Sequence, residues 1–235
     1  MGKVGIIIAM DEELNELLPY LKNKKEIKIF NLSFYEGLIS NQECILVLSG
    51  IGKVNAARAC QILIDNMNVD YVINIGVAAG INKNLMIGDI VIGTKLVQHD
   101  FDITSFGHPK GYITGVGQYI LADNYLINLF EKSTTDNVVL KKGVIASGDI
   151  FCTEPQMALK IKTKFDALCV EMEGASIAQV CFLSGIPFIV VRSISDIPNN
   201  ENQIDFEHFL KESSEKVAKI LVRTIAKIND FKEDL

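Results

Sequence analysis

Three short segments of this 235-residue sequence carry acids that could act together. Asp11-Glu12-Glu13 follows an apolar run, Glu171 and Glu173 stand in Val170-Glu171-Met172-Glu173, and Asp196 closes Arg192-Ser193-Ile194-Ser195-Asp196. Carboxylates in different surroundings can divide general acid from general base work, because burial and neighbouring charges move their pKa values apart. Each acid alone has a plainer use. The run at 11–13 suits a helix N-terminus, where negative side chains meet the positive end of the dipole. Glu171 and Glu173 lie two apart at a strand-to-helix junction, a spacing that sends one to solvent and the other toward a cleft. Asp196 comes after an all-apolar stretch where packing has no use for an acid, although it could cap the next element. Three acids at the carboxyl ends of three expected strands suggest one shared site.

Other chemistries find less support. Ser49-Gly50-Ile51-Gly52-Lys53-Val54-Asn55 begins like a dinucleotide fingerprint, but Asn55 replaces its last glycine and the next strand ends in Asn74-Ile75-Gly76 rather than an acid. Val54 after Gly52-Lys53 removes a phosphate-cradling loop as well. His99, His108 and His208 lack the i, i+4 spacing of a helical metal site, so His99, Asp100 and Asp102 read as a polar loop. The Gly-x-Ser-x-Gly elbow of serine hydrolases is missing.

Elements that must position the acids emerge from periodicity. Val4 to Ala9 reads as a buried strand entering a helix that carries Leu14, Leu17 and Leu18. Ile27 to Ile39 and Cys44 to Leu48 read as strands, the second turning at glycines into a helix over Lys53 to Met67. Tyr71 to Ile75 repeats the theme, with a second glycine turn expected at Gly76 to Gly80. Ile90 to Val97 and Val138 to Ala146 are strand-like, and Tyr119 to Lys132 and Pro155 to Lys164 helical. An apolar strand leads to Glu171, followed by a helix with Ala175, Ala178 and Phe182 on one stripe. Phe188 to Val191, apolar throughout, belongs inside a covered sheet. Alternation of strands and helices predicts an α/β fold in which a mixed, largely parallel central sheet is flanked by helices. Glycine turns after neighbouring strands would open a cavity at their carboxyl ends. His99 to Gly117, with four glycines and a proline, is expected to be a functional loop or a subunit contact.

Composition bounds the partners. A chain of this length with 49% hydrophobic and 22% charged residues can bury a sizeable core, and one domain over residues 1–235 is expected. A net charge of −6 with scattered Lys and Arg argues against nucleic acid. Five cysteines without a Cys-x-x-Cys pair suit reduced cytoplasmic thiols, and Asp11-Glu12-Glu13 interrupts the first apolar run before it could form a leader or a membrane span.

Five motifs in order, Gly5 to Glu13, Ser49 to Val54, Ser147-Gly148-Asp149, Val170 to Glu173 and Arg192 to Asp196, carry a family likeness. From Val4 to about Phe209 the sequence resembles the bacterial 5′-methylthioadenosine/S-adenosylhomocysteine nucleosidases. That resemblance implies a nucleoside-phosphorylase-like three-layer α/β/α fold, a homodimer, and hydrolysis of 5′-thio-substituted adenosines with no metal or cofactor. It leaves open which 5′-group is preferred among methylthio, homocysteinyl, 5′-deoxy and the larger group of aminodeoxyfutalosine. By position it implies Asp196 as the acid at purine N7 with Ser195 orienting it, Glu13 as the residue activating water, and Arg192 as a second contact to that water. Glu173 and the backbone of Met172 would hold the ribose hydroxyls, Phe151 would stack on adenine, and the main chain of Cys152 would read its edge. Met10, Ile51 and Phe206 would line the sugar and 5′ pocket, and Phe106 would close the pocket of the partner subunit. Val77 stands where some members carry a hydroxyl residue near the water.

Two rivals make different predictions. A phosphorylase on the same fold would need the guanidinium and hydroxyl of an Arg-x-Gly-Ser pattern, where this sequence has Asn74-Ile75-Gly76-Val77. A non-catalytic nucleoside binder would have no need of an acid and a base, yet Glu13 and Asp196 are both present.

Overall fold

The computed structural model describes residues 2–135, 138–199 and 201–228. The single domain expected over 1–235 therefore extends outside the described residues at both ends. Among the described residues the strands are β1 (Val4–Ile8), β2 (Lys22–Ile29), β3 (Leu32–Ile39), β4 (Gln42–Leu48), β5 (Tyr71–Gly80), β6 (Ile90–Gln98), β7 (Ile120–Leu121), β8 (Leu140–Ser147), β9 (Ala167–Glu171) and β10 (Phe188–Asp196). The helices are α1 (Asp11–Leu17), α2 (Lys53–Met67), α3 (Asn124–Ser133), α4 (Pro155–Phe165), α5 (Gly174–Ser184) and α6 (Asn202–Ala226).

The sheet is mixed. Its order runs β10-β6-β8-β9-β5-β1-β4-β3-β2, and β10 also pairs with β5, so β10, β6, β8, β9 and β5 close into a ring. The strands on either side of β1, namely β4 and β5, run parallel to it, as do β5 with β10 and β6 with β8. Closure is possible because β5 changes neighbours along its length. It lies beside β1 from Tyr71 to Asn74, then meets antiparallel β9 at Ala79 and Gly80. Every residue of β1 and β10 is buried, as the apolar runs Val4–Ile8 and Phe188–Val191 between covered neighbours require, and in β10 the burial extends to Arg192, Ser193, Ser195 and Asp196. Helices flank the sheet in two groups, α1 and α3 packing on α6, and α2 on α5.

Four local expectations differ from the structure. Ile27 to Ile39 is not one strand but the arms of a hairpin, turned at Phe30 and Asn31, both with positive φ. No glycine turn occurs at 76–80: β5 runs straight through, since Gly76 lies extended beside a carboxylate. The helix expected from Tyr119 begins only at Asn124, after Ile120 and Leu121 pair with β6, because Asp123 caps it by accepting from Leu126 N. The strand expected from Val138 begins at Leu140.

Candidate active site

Glu13 is both a helix cap and a buried carboxylate. At the third position of α1 its Oε2 accepts from the N–H groups of Ala9 (3.2 Å) and Met10 (3.1 Å), reaching back over the start of its own helix. Its Oε1 accepts from Val77 N at 3.0 Å, which ties the helix to β5. The approach is so close that a Cβ at Gly76 would lie 2.6 Å from that oxygen, so glycine there keeps the carboxylate in place. Burial drives the pKa of Glu13 up, against the pull of Arg192 and of the three N–H groups, leaving a carboxylate more basic than usual.

Glu171 and Glu173 are both buried, contrary to the expectation that one would be solvated. They diverge in direction, but each meets protein. Glu171 Oε2 caps α5 by accepting from Glu173 N (3.2 Å) and Gly174 N (2.7 Å), and its oxygens also take hydrogen bonds from Ser147 and Arg192. Glu173 reaches across to α2, where Oε1 accepts from Gly52 N at 2.9 Å. The Ser49–Gly52 glycines thus present a helix N-terminus to a carboxylate rather than to a phosphate. Burial, with Glu171 next, raises Glu173 to about 7, opposed by Arg192 and Gly52.

Arg192 lies beneath these acids, 1% exposed, and donates to Glu171, to Asn74 Oδ1 and to Val191 O (3.2 Å). Glu173 Oε2 is 3.9 Å from its Nη2. Burial would lower the pKa of Arg192, but Glu171, Glu173 and Glu13 more than offset this and the net shift is upward. One guanidinium therefore faces three carboxyl groups, an excess of negative potential that would favour a developing cation.

Asp196, the last residue of β10, is also buried. Its Oδ1 accepts from Ser195 Oγ at 2.7 Å and its Oδ2 from the Asn202 amide. Burial raises its pKa, Asn202 and Ser195 pull it down, and Asp205 pushes it up, the net being a carboxyl that holds a proton above the ordinary range.

A cavity of about 420 Å³ joins these groups. Met10, Glu13, Ile51, Val77, Phe151, Cys152, Met172, Glu173, Ser195, Asp196 and Phe206 all line it, eleven of the thirteen site residues expected from the sequence. Phe151 and Phe206 meet edge to face at its mouth, ring centres 5.6 Å apart. Arg192 and Phe106 do not line it: Arg192 sits below the floor, and Phe106 stands on the loop after β6, 80% exposed. Sequence reasoning missed Asn74 and Asn202, whose amides hold Arg192 and Asp196, and the lining residues Gln203 and Glu207. Pairing with Arg192 or Asp196 requires β5 and α6 to be placed in space, which no local spacing reveals.

The Ser147-Gly148-Asp149 motif serves as scaffold. Asp149 Oδ1 accepts from Lys53 N at 2.8 Å, Asp100 Oδ1 pairs with Lys53 Nζ at 2.6 Å, and the His99 ring packs on Gly148 with no room for a Cβ. His99 and Asp100 thus brace the start of α2, and among the described residues no cluster of three or more His, Cys, Asp or Glu is arranged to hold a metal ion.

This mixed sheet carries a carboxylate-lined cavity, and the family model of the phosphorylase superfamily matches residues 3–226 of the chain. A 5′-methylthioadenosine/S-adenosylhomocysteine nucleosidase from Bacillus pumilus is 41% identical over 226 residues, 95% of this chain and 98% of that protein. Among solved structures, the nucleosidase of that name from Neisseria meningitidis, in complex with methylthio-immucillin-A, superposes with a TM-score of 0.95 at 35% identity, covering 97% of this chain and 100% of that one. A futalosine hydrolase mutant of Helicobacter pylori strain 26695 gives 0.94 at 36% identity, with coverages of 97% and 100%. The chain belongs to the 5′-methylthioadenosine/S-adenosylhomocysteine nucleosidase family.

Proposed function

We propose that this chain, acting as one domain, hydrolyses the N-glycosidic bond of 5′-thio-substituted adenosines to adenine and the free ribose derivative. The observation that carries this reading is the meeting of Glu13, Glu173 and Asp196 around one cavity, each with its proton affinity raised by burial. Asp196, steadied by Ser195, gives its proton to purine N7, which turns adenine into a neutral leaving group. As the bond to adenine breaks, positive charge grows on the ribose and the surplus of carboxylates stabilises it more than the uncharged substrate. Glu13 takes a proton from water as the water oxygen bonds to the anomeric carbon. General acid or base help of this kind is typically worth ~10²–10⁴ in rate per group.

Glu173 and the main chain of Met172 hold the ribose hydroxyls, Phe151 stacks on the base, and the backbone of Cys152 reads its amino edge. Met10, Ile51 and Phe206 enclose the sugar and the 5′-group, whose apolar walls suit a thioether. Arg192 works from below, holding Glu171 and balancing charge beside Glu13, and Val77 fixes Glu13 through its N–H without offering the water a hydroxyl. In a cytoplasmic homodimer the exposed Phe106 would close the partner subunit's cavity. The two proton transfers run through Asp196, Glu13 and water.

A panel of methylthioadenosine, S-adenosylhomocysteine, 5′-deoxyadenosine and aminodeoxyfutalosine, with adenosine and inosine as controls, tests the reading. Fast adenine release from the 5′-thio compounds and slow turnover of inosine is the expected pattern. Inosine turnover equal to that of the thio compounds, or none from any adenosine, would overturn it.

A further inference from the structure

Asn202, the first residue of α6, is fully buried, yet packing does not explain it. Its Nδ2 donates to two acceptors at once, Asp196 Oδ2 and the carbonyl of Cys152 at 3.2 Å, while its own Oδ1 has no partner among the described residues. The orientation of the amide is fixed by its surroundings, because a main-chain carbonyl can only accept and so must face the nitrogen. An aliphatic residue of this size would fill the space without stranding an acceptor. What the amide contributes therefore lies on its donor side, where it links the end of β10 to the loop after β8.

The two oxygens of Asp196 are held differently. Ser195 Oγ lies 2.7 Å from Oδ1 and 3.4 Å from the carbonyl of Ala78, so its one hydrogen can point at Asp196 or turn to Ala78 while the hydroxyl accepts. The Asn202 nitrogen can only donate. We propose that Asn202 is a positioning residue for Asp196, making Oδ2 a permanent acceptor and leaving Oδ1, beside the reversible Ser195 hydroxyl, to carry the proton that goes to the base. The same bridge holds Asp196 in register with the Cys152 carbonyl, so the proton donor and the base-reading main chain move as one unit. This inference rests on the nucleosidase reading of the site.

The other ionisable groups facing Asp196 are Asp205 on α6 and the Cys152 thiol, while Glu13, Glu171, Glu173 and Glu207 line the same cavity. None of them donates to Oδ2. Removing the amide takes a donor from the charged form of Asp196, so its proton should be held to higher pH. In the pH profile of kcat/KM for methylthioadenosine, the descending limb of Asn202→Leu should move up by about one pH unit, and kcat should fall about tenfold as the carboxyl loses its fixed geometry. A purely structural role would lower the rate and leave that limb where it was.

A second measurement needs no substitution. In the native chain labelled with nitrogen-15, the Asn202 side-chain amide resonances should shift with the same midpoint as the descending limb, and an Asp196→Asn background should abolish that shift. An unmoved limb in folded Asn202→Leu, or amide resonances that stay flat across the limb, would overturn the proposal. Failure of the underlying reading looks different: the native chain would then release no adenine at any pH.

Discussion

Replacing Glu173 by glutamine keeps the shape of the side chain and removes its charge. In the folded chain burial and Glu171 raise this carboxyl from 4.5 to about 7, so it holds its proton more tightly than it would unfolded. Folding therefore takes up a proton between those two values, and stability falls as pH rises through the window from 4.5 to 7. Above it, the ionised carboxylate costs about 3 kcal/mol relative to the protonated form. Glutamine escapes that cost and can still accept from Gly52 N, but it turns an NH2 toward Arg192, which takes part of the gain back. The net is about 1–3 kcal/mol of added stability at pH 8 and close to none at pH 4.5. At about 2–4 °C per kcal/mol for a chain of this size, the melting temperature at pH 8 should rise by about 2–12 °C. Thermal melts of both proteins from pH 4.5 to 8.5 read this directly, while adenine release should fall because the ribose loses its anchor. A variant no more stable than the native chain at pH 8, or equally stabilised at both ends of the range, would refute the electrostatic account of the site.

Gly76→Ala would drive a methyl group into Glu13 Oε1, 2.6 Å away, and kcat should fall about 100-fold with the fold intact; an unchanged kcat would show that the carboxylate is not held there for chemistry. Asp196→Asn and Glu13→Gln should each lower turnover by ~10²–10⁴ while substrate still binds by calorimetry, and near-native rates in either would remove the assigned roles. Phe151→Ala should raise KM for methylthioadenosine about tenfold and leave kcat nearly alone, whereas a loss confined to kcat would place the ring elsewhere than on the base.

Much of this site was legible in the sequence because its acids sit on strongly patterned elements. An apolar run ending in Asp11-Glu12-Glu13, and another ending before Arg192, announce strands whose ends can carry chemistry. Eleven residues expected at the site line one cavity. Harder to read were the groups that hold those acids. Glu171 looked interchangeable with Glu173 because both stand at one junction, and only their tertiary partners separate them: Ser147 and Arg192 hold Glu171, whereas Gly52 N holds Glu173. Gly76 was read as a turn, since nothing local indicates a carboxylate against its Cα. Asn202 lies six residues past Asp196, a separation at which the pattern does not determine whether the two side chains meet. The ring closure of the sheet was also invisible, because it depends on β5 exchanging partners midway, a tertiary choice with no periodic signature.

In the proposed reaction water, rather than phosphate, receives the ribosyl group in a cavity built on Glu13, Glu173 and Asp196. Product analysis in phosphate-free buffer tests it most directly. Incubated with 5′-methylthioadenosine in water enriched in oxygen-18, the chain should release adenine and free methylthioribose in equal amounts, with the heavy oxygen on the anomeric carbon. Adenine release that requires added phosphate and yields a ribose 1-phosphate derivative would contradict the account.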